Sequence, residues 1–355
     1  TLQLGNGGTS GWVPGNIIDN GTLAFNRADA VVFGATVSGT GGLVQMGPGL
    51  LNLAGVNTYT GPTLVQAGTL AVNGSITSDT TVLAPGTLAG TGTIFGRVLN
   101  NGTIAPGNSI GQLNIVGSYT QAAGSTYQVE LNPAGQADRI MVTGVPATAT
   151  IQGGTVAVQA ASGIYPTVYR YTIVTATGGV TGTYAGLTSN LAFFRPTITY
   201  DANNVYLEAT AASNAAYSGY TCGALTQNQT AVARALDQAI AGATGDFNTV
   251  LGALLGLDTT QGPLALDAIG GQPYAGFGTA NLFSGNLFSA AIRQQMALGR
   301  EGSTDGSRAA IATADGAASR LSSWAAAIGG TGNVLGGWSG GSGVTACGTT
   351  RPLQT

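Results

Sequence analysis

The sequence contains no histidine and no lysine, and its 11 basic residues are all arginine. Without histidine, the chain cannot form a Ser-His-Asp triad, a Cys-His pair or a histidine-ligated metal site from its own residues. Without lysine, a Ser-Lys dyad is excluded as well. Charged residues make up only 7% of the chain, whereas about 25% is typical of globular proteins. A net charge of −3 with scattered arginines provides no basic stripe, so we expect no nucleic-acid partner.

The 14 acidic residues are dispersed along the chain instead of clustered. Asp19, Asp29 and Asp79 lie far apart, and the D-x-D pattern of a calcium loop is missing. Glycosidases need two carboxylates on either side of one sugar linkage. Asp138 and Glu130 could meet across strands, but a local ion pair with the adjacent arginine is the simpler interpretation. We therefore expect a non-enzymatic chain with no cofactor and no metal.

Cysteine is nearly absent, since Cys222 and Cys347 are the only two. Their separation is too long for a CxxC redox pair, and two thiols are too few for a zinc site. In an extracellular protein they could form a long-range disulfide, which the chain-entropy model credits with about 5 kcal/mol before strain is subtracted. The alternatives are two free thiols, or one thiol that pairs with another chain.

Glycine is abundant at 59 residues, yet 43% of the chain is hydrophobic, so this is not a disordered glycine-serine linker. Short phrases recur in which a turn residue precedes β-prone residues at period two. Most begin about 16–20 residues apart, which is a period typical of solenoids. The pattern predicts a mainly β chain folded as a right-handed parallel β-helix, with a β-sandwich as the alternative. The phrases are NGTLAF (20–25), GLLNL (49–53), GTLAV (68–72), GTLAG (86–90), NGTIAP (101–106) and GQLNI (111–115).

From residue 118 onwards the predicted strands become longer. Within STYQVELN, the side chains of Tyr127, Val129 and Leu131 alternate with polar residues, as do those of Val205 and Leu207. The predicted strands lie in residues 125–132, 138–144, 153–160, 169–176, 193–201 and 203–210.

Near residue 211 the hydrophobic period changes from 2 to 3.6, which predicts a small α-helical cluster. Thr226 and Gln229 have the spacing of a capping box, and Gly242 can end the helix that follows. Asp246 is the predicted N-cap of a second helix that stops at Gly256. Two further helices are predicted over residues 263–271 and 274–296.

Several phrases resemble a known family. Residues 47–76 (GPGLLNLAGVNTYTGPTLVQAGTLAVNGSI) look like the passenger-associated transport repeat of bacterial type V autotransporters. Residues 86–131, with the phrase APGNSIG, are similar to the region that leads into the autochaperone segment of that family. LTQNQTAVARALD (225–237) resembles the family's helical linker, and SSWAAAIGGTGNVLGG (322–337) resembles the first strand of its translocator barrel. The resemblance runs in the family's order over residues 20–335.

The resemblance implies a division into segments and a location. Residues 1–85 would be β-helix rungs of a passenger, and residues 86–210, hereafter the cap segment, a β-helix cap of autochaperone type. Residues 211–320 would be a helical linker, and residues 321–355 a segment like a first barrel strand with a flexible tail. Thr1 begins within the pattern, so we expect passenger sequence upstream. The implied location is the cell surface or exterior of a Gram-negative bacterium, reached through the outer membrane.

The function implied by the resemblance is nucleation of folding by the cap segment, which would template the upstream passenger rungs. The implied partners are that passenger and a downstream outer-membrane β-barrel. Single rungs are too small to bury their own core, and truncating a cap-core side chain to alanine should cost about 2–5 kcal/mol. The expected cap-core residues are Ile104, Leu113, Ile115, Tyr127, Val129, Leu131, Ile173, Phe193 and Tyr206.

The alternative function is that of a self-associating structural subunit of an extracellular filament, layer or adhesive matrix. Uncovered strand edges recruit other chains, and a low content of charge does little to oppose packing between copies. The sequence alone leaves both functions open.

Overall fold

The computed structural model describes residues 1–165, 168–194, 196–210, 217–220 and 224–271, with residues 285–286, 288–290 and 292–293. Within this part of the chain, residues 1–266 belong to one compact unit. The predicted disulfide between Cys222 and Cys347 lies outside the described residues. So do most of the helix predicted over 274–296 and all of the segment 321–355.

The described chain winds into a coil whose walls are three long β-sheets. Sheet 1 contains β1 (Leu2–Leu4), β3 (Thr22–Phe25), β6 (Gly42–Gln45), β8 (Thr63–Val65), β11 (Thr80–Val82), β14 (Val98–Asn100), β17 (Tyr119–Gln121), β20 (Ala149–Ile151) and β23 (Val180–Gly182). Sheet 2 contains β4 (Val31–Phe33), β7 (Leu50–Leu53), β9 (Thr69–Val72), β12 (Thr87–Gly90), β15 (Thr103–Pro106), β18 (Thr126–Leu131), β21 (Thr155–Ala160) and β24 (Gly186–Ser189). Sheet 3 contains β10 (Ser75–Ile76), β13 (Thr93–Phe95), β16 (Gln112–Val116), β19 (Arg139–Thr143), β22 (Val168–Ala176), β26 (Asn204–Thr210) and β25 (Thr197–Tyr200). A small additional sheet pairs β2 (Ile17–Ile18) with β5 (Val37–Ser38).

The parallel register places equivalent side chains of successive rungs directly above one another. In sheet 2, Leu51 lies beside Leu70, Leu70 beside Leu88, Leu88 beside Ile104, and Ile104 beside Tyr127. All five side chains are buried inside the coil. Neighbouring residues along each strand point to opposite faces, so the period-two phrases place their aliphatic residues inside. The predicted solenoid is therefore confirmed, and the β-sandwich alternative is wrong.

Several strands of sheets 2 and 3 are longer in the second half of the coil, as predicted, whereas β17, β20 and β23 of sheet 1 keep 3 residues each. Strand β9 has 4 residues, β18 has 6 and β22 has 9. The pairing also changes there, because β26 is antiparallel to both β22 and β25. The cap segment thus ends in a three-stranded antiparallel unit that is joined to the parallel coil through β22 and β19.

Three α-helices follow in the described chain: α1 (Gln227–Ala239), α2 (Gly245–Leu255) and α3 (Gln261–Ile269). The capping box of Thr226 and Gln229 is confirmed. Helix α1 ends before Gly242, and a 3-10 turn covers Ile240–Gly242. The prediction that Asp246 caps α2 is wrong. Thr244 is the N-cap residue, and Asp246 lies in the first turn, where its carboxylate complements the helix dipole.

Among the described residues, none of the helices combines the length and the apolar character needed to cross a membrane.

Candidate functional site: the core of the cap segment

Most of the predicted cap-core side chains meet in one continuous interior. They come from sheet 2, from sheet 3 and from the chain after β24, and each is at most 1% exposed. These buried residues are Ile104, Leu113, Ile115, Tyr127, Val129, Leu131, Ile173 and Phe193. The structure thus shows that these side chains pack together, whereas their role in folding stays a prediction.

Tyr206 is the exception, because it lies on the outer face of β26 between the buried residues Val205 and Leu207. Its hydroxyl donates to a carboxylate oxygen of Asp201 over 2.6 Å, and the guanidinium of Arg170 lies 3.6 Å from its ring centroid. The assignment of Tyr206 to the core is wrong for a simple reason. Strand alternation that buries Val205 and Leu207 must turn Tyr206 outward.

Tyr127 connects two walls of the coil through the interior. It belongs to β18 of sheet 2, and its hydroxyl donates to the backbone carbonyl of Ile173, in β22 of sheet 3, over 2.7 Å. The ring of Tyr184 lies nearby, with a centroid distance of 6.3 Å. Burial raises the pKa of Tyr127 far above its ordinary value, so this hydroxyl stays protonated and acts as a hydrogen-bond donor. A buried tyrosine of this kind specifies which rung faces which.

A buried amide network lies at one corner of the cap segment and was not predicted from the sequence. The side-chain NH2 of Asn100 donates to the side-chain oxygen of Gln121 over 3.1 Å and to the carbonyl of Thr126 over 3.0 Å. Gln121 in turn donates to Ser125 over 2.7 Å, and Asn100 accepts from the amide of Gly102 over 3.1 Å. Fully paired networks of this kind favour one register over its neighbours. The sequence signal for this network is a polar residue at an inward-facing position of a strand, which is Asn100 in β14 and Gln121 in β17.

Asp138 is a buried carboxylate that holds two parts of the backbone together. One oxygen accepts the amide N–H of Gly111 and the other accepts that of Glu130, both over 2.8 Å. Burial raises the pKa of Asp138 to about 7, although these two hydrogen bonds act in the opposite direction. The expected ion pair with Arg139 is wrong, because the backbone amides take both carboxylate oxygens. Asp138 therefore fastens the loop at Gly111 to β18.

Asp19, Asp29 and Asp79 each have a structural partner. Asp29 pairs with Arg27 over 2.7 Å, and Asp79 pairs with Arg97 over 3.0 Å. Asp19 accepts the amide of Gly21 over 2.9 Å. In the part of the chain that the structure describes, no three metal-ligating residues come together.

Comparison with known proteins identifies a known repeat within this coil. Residues 43–72, which include β7, β8 and β9, match the family described as Passenger-associated-transport-repeat. An extracellular serine protease of Serratia marcescens is 31% identical over 240 residues, which are 63% of this chain and 22% of that protein. The chain carries a passenger-associated transport repeat.

Two proteins named as autotransporters share shorter segments with this chain. Adhesin BmaC autotransporter of Brucella suis biovar 1 is 42% identical over 72 residues, which are 20% of this chain and 2% of that protein. Neisserial autotransporter lipoprotein NalP of Neisseria meningitidis serogroup B is 46% identical over 50 residues, which are 14% of this chain and 5% of that protein. The chain spans 22% of the length of the Serratia marcescens protein, so the similarity concerns a part of such proteins.

Proposed function

We propose that the chain is a non-enzymatic stalk and autochaperone module of an autotransporter, in which the cap segment folds first and templates the rungs upstream. It would act at the surface or exterior of a Gram-negative bacterium, after passage through the outer membrane. Its partners would be the upstream passenger and a downstream outer-membrane β-barrel. The relatives named extracellular serine protease support secretion. The absence of histidine from this chain argues that it contributes no Ser-His-Asp chemistry of its own.

The observation that carries this proposal is the antiparallel unit at the end of the cap segment. Strands β25 and β26 pair across residues 201–203, so their contacts are local in sequence. Asp201 stabilises the turn by accepting the amides of Asn203 and Asn204 over 2.8 and 2.7 Å. Local pairing requires little loop-closure entropy, and such contacts form faster than distant ones. The β25–β26 hairpin can therefore form before any parallel rung exists, and β22 completes the unit by pairing with β26 across residues 177–203.

The same unit presents an edge on which parallel rungs can add. Strand β22 pairs with β26 on one side and accepts β19 in parallel on the other. Strand β19 then accepts β16, with Leu113 beside Ile140 and Ile115 beside Val142. Each added rung finds a preformed wall of buried side chains, which supplies the core that it lacks alone.

A pair of matched substitutions tests the order of folding in the full chain. Leu207, in β26, and Leu53, in β7, are both fully buried leucines, and replacing either by alanine should cost about 2–5 kcal/mol. We expect Leu207→Ala to slow refolding from urea by about tenfold, because its contacts exist in the folding nucleus. Leu53→Ala should leave the refolding rate nearly unchanged and accelerate unfolding.

The converse result would contradict the proposal. If Leu53→Ala slows refolding and Leu207→Ala acts only on unfolding, the coil nucleates at the opposite end. Equal slowing by both variants would indicate a diffuse nucleus, which is also incompatible with a templating cap.

A second candidate function, self-association into an extracellular layer or filament, is favoured by apolar side chains on the outer surface of the rungs at the N-terminal end of the coil. Ile18, in β2, is 78% exposed, and Val32, in β4, is 61% exposed. Exposed apolar patches of this kind mark surfaces that bind other proteins.

Sedimentation at increasing concentration distinguishes this candidate. If copies pair through this end, Ile18→Lys should weaken association by about tenfold or more. Val145→Lys is the matched control, because Val145 is 93% exposed on a loop of the cap segment. A monomer at every concentration would exclude self-association.

A further inference from the structure

The C-terminal end of the coil carries an aromatic face that is covered by the helices. We call this face the end face, formed by Tyr165, Leu191, Ala192, Phe193 and Phe194. Each of these residues is at most 3% exposed. Without the helices, the last rung would leave an apolar surface open to water, which folded monomers rarely tolerate.

Backbone hydrogen bonds join the end face to the helical segment. The amide of Ala192 donates to the carbonyl of Leu257 over 2.9 Å, and the amide of Tyr165 donates to that of Gly252 over 3.3 Å. An antiparallel bridge pairs Leu191 with Asp258. The helical segment thus continues the hydrogen bonding of the coil beyond β24.

Side chains strengthen the same contact. The ring of Phe193 lies 5.2 Å from that of Tyr217, whose hydroxyl donates to the carbonyl of Leu251 over 2.7 Å. Tyr220 donates to the carbonyl of Thr259 over 2.9 Å. In α1, the side chain of Gln229 donates to the carbonyl of Pro263 over 3.3 Å. Helices α1, α2 and the start of α3 are therefore held as one body over the end face.

Glycines occupy the points where the helical segment and the coil approach most closely. A Cβ atom at Gly252 would lie 2.7 Å from a methyl carbon of Ile164, and one at Gly262 would lie 2.5 Å from the Cβ of Ala192. A Cβ atom at Gly256 would overlap the carbonyl oxygen of Gly163. These positions require glycine because only glycine lets the two surfaces approach so closely.

We propose that residues 217–220 and 224–266 act as a helical lid that docks on the end face, closes the solenoid, and can leave it while the coil stays folded. The occupant of the end face is thus the chain's own helical segment, which the sequence predicts only as a linker. The proposal goes beyond the proposed function, because it holds whichever part of the coil folds first. Displacing the lid would expose the aromatic end face.

Hydrogen exchange of the full chain tests the docking. The amides of Tyr165 and Ala192 should be protected in the wild type, because their acceptors belong to the lid. Gly256→Ala should raise their exchange rates by about tenfold or more while the amides of β18 keep their protection. Gly242→Ala is the matched control, because a Cβ atom at Gly242 would meet nothing within 4 Å. It should leave the exchange at both amides unchanged.

Exchange of the wild type in low urea tests whether the lid can leave the folded coil, even if Gly256→Ala unfolds the chain. We expect the amides of Tyr165 and Ala192 to open together at urea concentrations where β18 remains protected. Opening of these amides only together with β18 would contradict a displaceable lid. Lack of protection at Tyr165 and Ala192 in the wild type without urea would contradict docking itself. Neither result would bear on which end of the coil folds first.

Discussion

At the scale of single residues, Asp138 links the stability of the coil to pH. Its carboxylate is buried and bound by two backbone amides, and the nearby ionisable groups are Glu130, Arg139 and Tyr127. Burial raises the pKa of Asp138 to about 7, and the charge of Glu130 acts in the same direction. In the unfolded chain the pKa of an aspartate is about 4.

The resulting prediction is a fall in stability as the pH rises. Between about pH 4 and about pH 7 the folded chain binds a proton at Asp138 that the unfolded chain has lost, so the free energy of unfolding decreases with pH over this window. Above the folded pKa both states are ionised, and this contribution becomes constant. Urea midpoints measured across the window should show the fall in the wild type.

Asp138→Asn should flatten this profile, since asparagine does not titrate. It should also lower stability at every pH, by about 1–3 kcal/mol, because an amide side chain cannot accept both backbone N–H groups. Asp79→Asn is the control. The pKa of Asp79 is lowered by hydrogen bonds from the amide and side chain of Arg97, so its loss should leave the slope between about pH 4 and about pH 7 intact. An unchanged slope in Asp138→Asn would refute the assignment to Asp138.

At the scale of the elements, the corners between strands limit how closely rungs can stack. Gly68 precedes β9 with a φ of +60°, and a Cβ atom there would overlap the carbonyl oxygens of Gly47 and Gly49 in the preceding rung. Gly124 precedes β18 with a φ of +80°, but a Cβ atom there would meet nothing within 4 Å. The two glycines thus share a left-handed conformation and differ in steric surroundings.

Comparing alanine at these two positions separates backbone strain from crowding. Gly124→Ala should cost about 1–2 kcal/mol, which is the cost of a left-handed conformation for an L-residue. Gly68→Ala should cost clearly more, because the rungs must also move apart. Urea denaturation of both variants measures the difference. Equal losses would mean that rung spacing tolerates a methyl group at this corner.

At the scale of the whole molecule, much of the coil could be predicted because its signal is local. The alternation that buries Leu51, Leu70 and Leu88 is visible in five-residue phrases, and each phrase contains a strand of the coil. The capping box of Thr226 is equally local, since its partners lie within one helical turn. Alternation also predicts that Tyr206 points outward, because Val205 and Leu207 on either side of it are buried. Its assignment to the core disregards that rule.

The features that could not be predicted depend on contacts between distant parts of the chain. Nothing near Asp138 in the sequence shows that the amide of Gly111 binds its carboxylate. The apolar stripe of α2 predicts burial, but not that Gly252 packs against Tyr165. The family resemblance implies that the helices form a linker, whereas the structure places α1 and α2 against the end face of the coil.

The end-to-end difference in rung structure is the basis of the central claim that folding begins in the cap segment. The C-terminal end contains the 9-residue strand β22 and the local antiparallel hairpin of β25 and β26, whereas β3 and β6 have only parallel neighbours from other turns of the coil. Local contacts form before distant ones when loop closure is the main cost. The account therefore predicts a direction of folding.

Pulsed hydrogen exchange during refolding of the full chain tests that direction most directly. The account predicts that amides of β22, β25 and β26 gain protection first, that those of β19 and β16 follow, and that those of β3 and β6 come last. Protection that begins in β3 and β6, or arises in all strands at the same time, would contradict it.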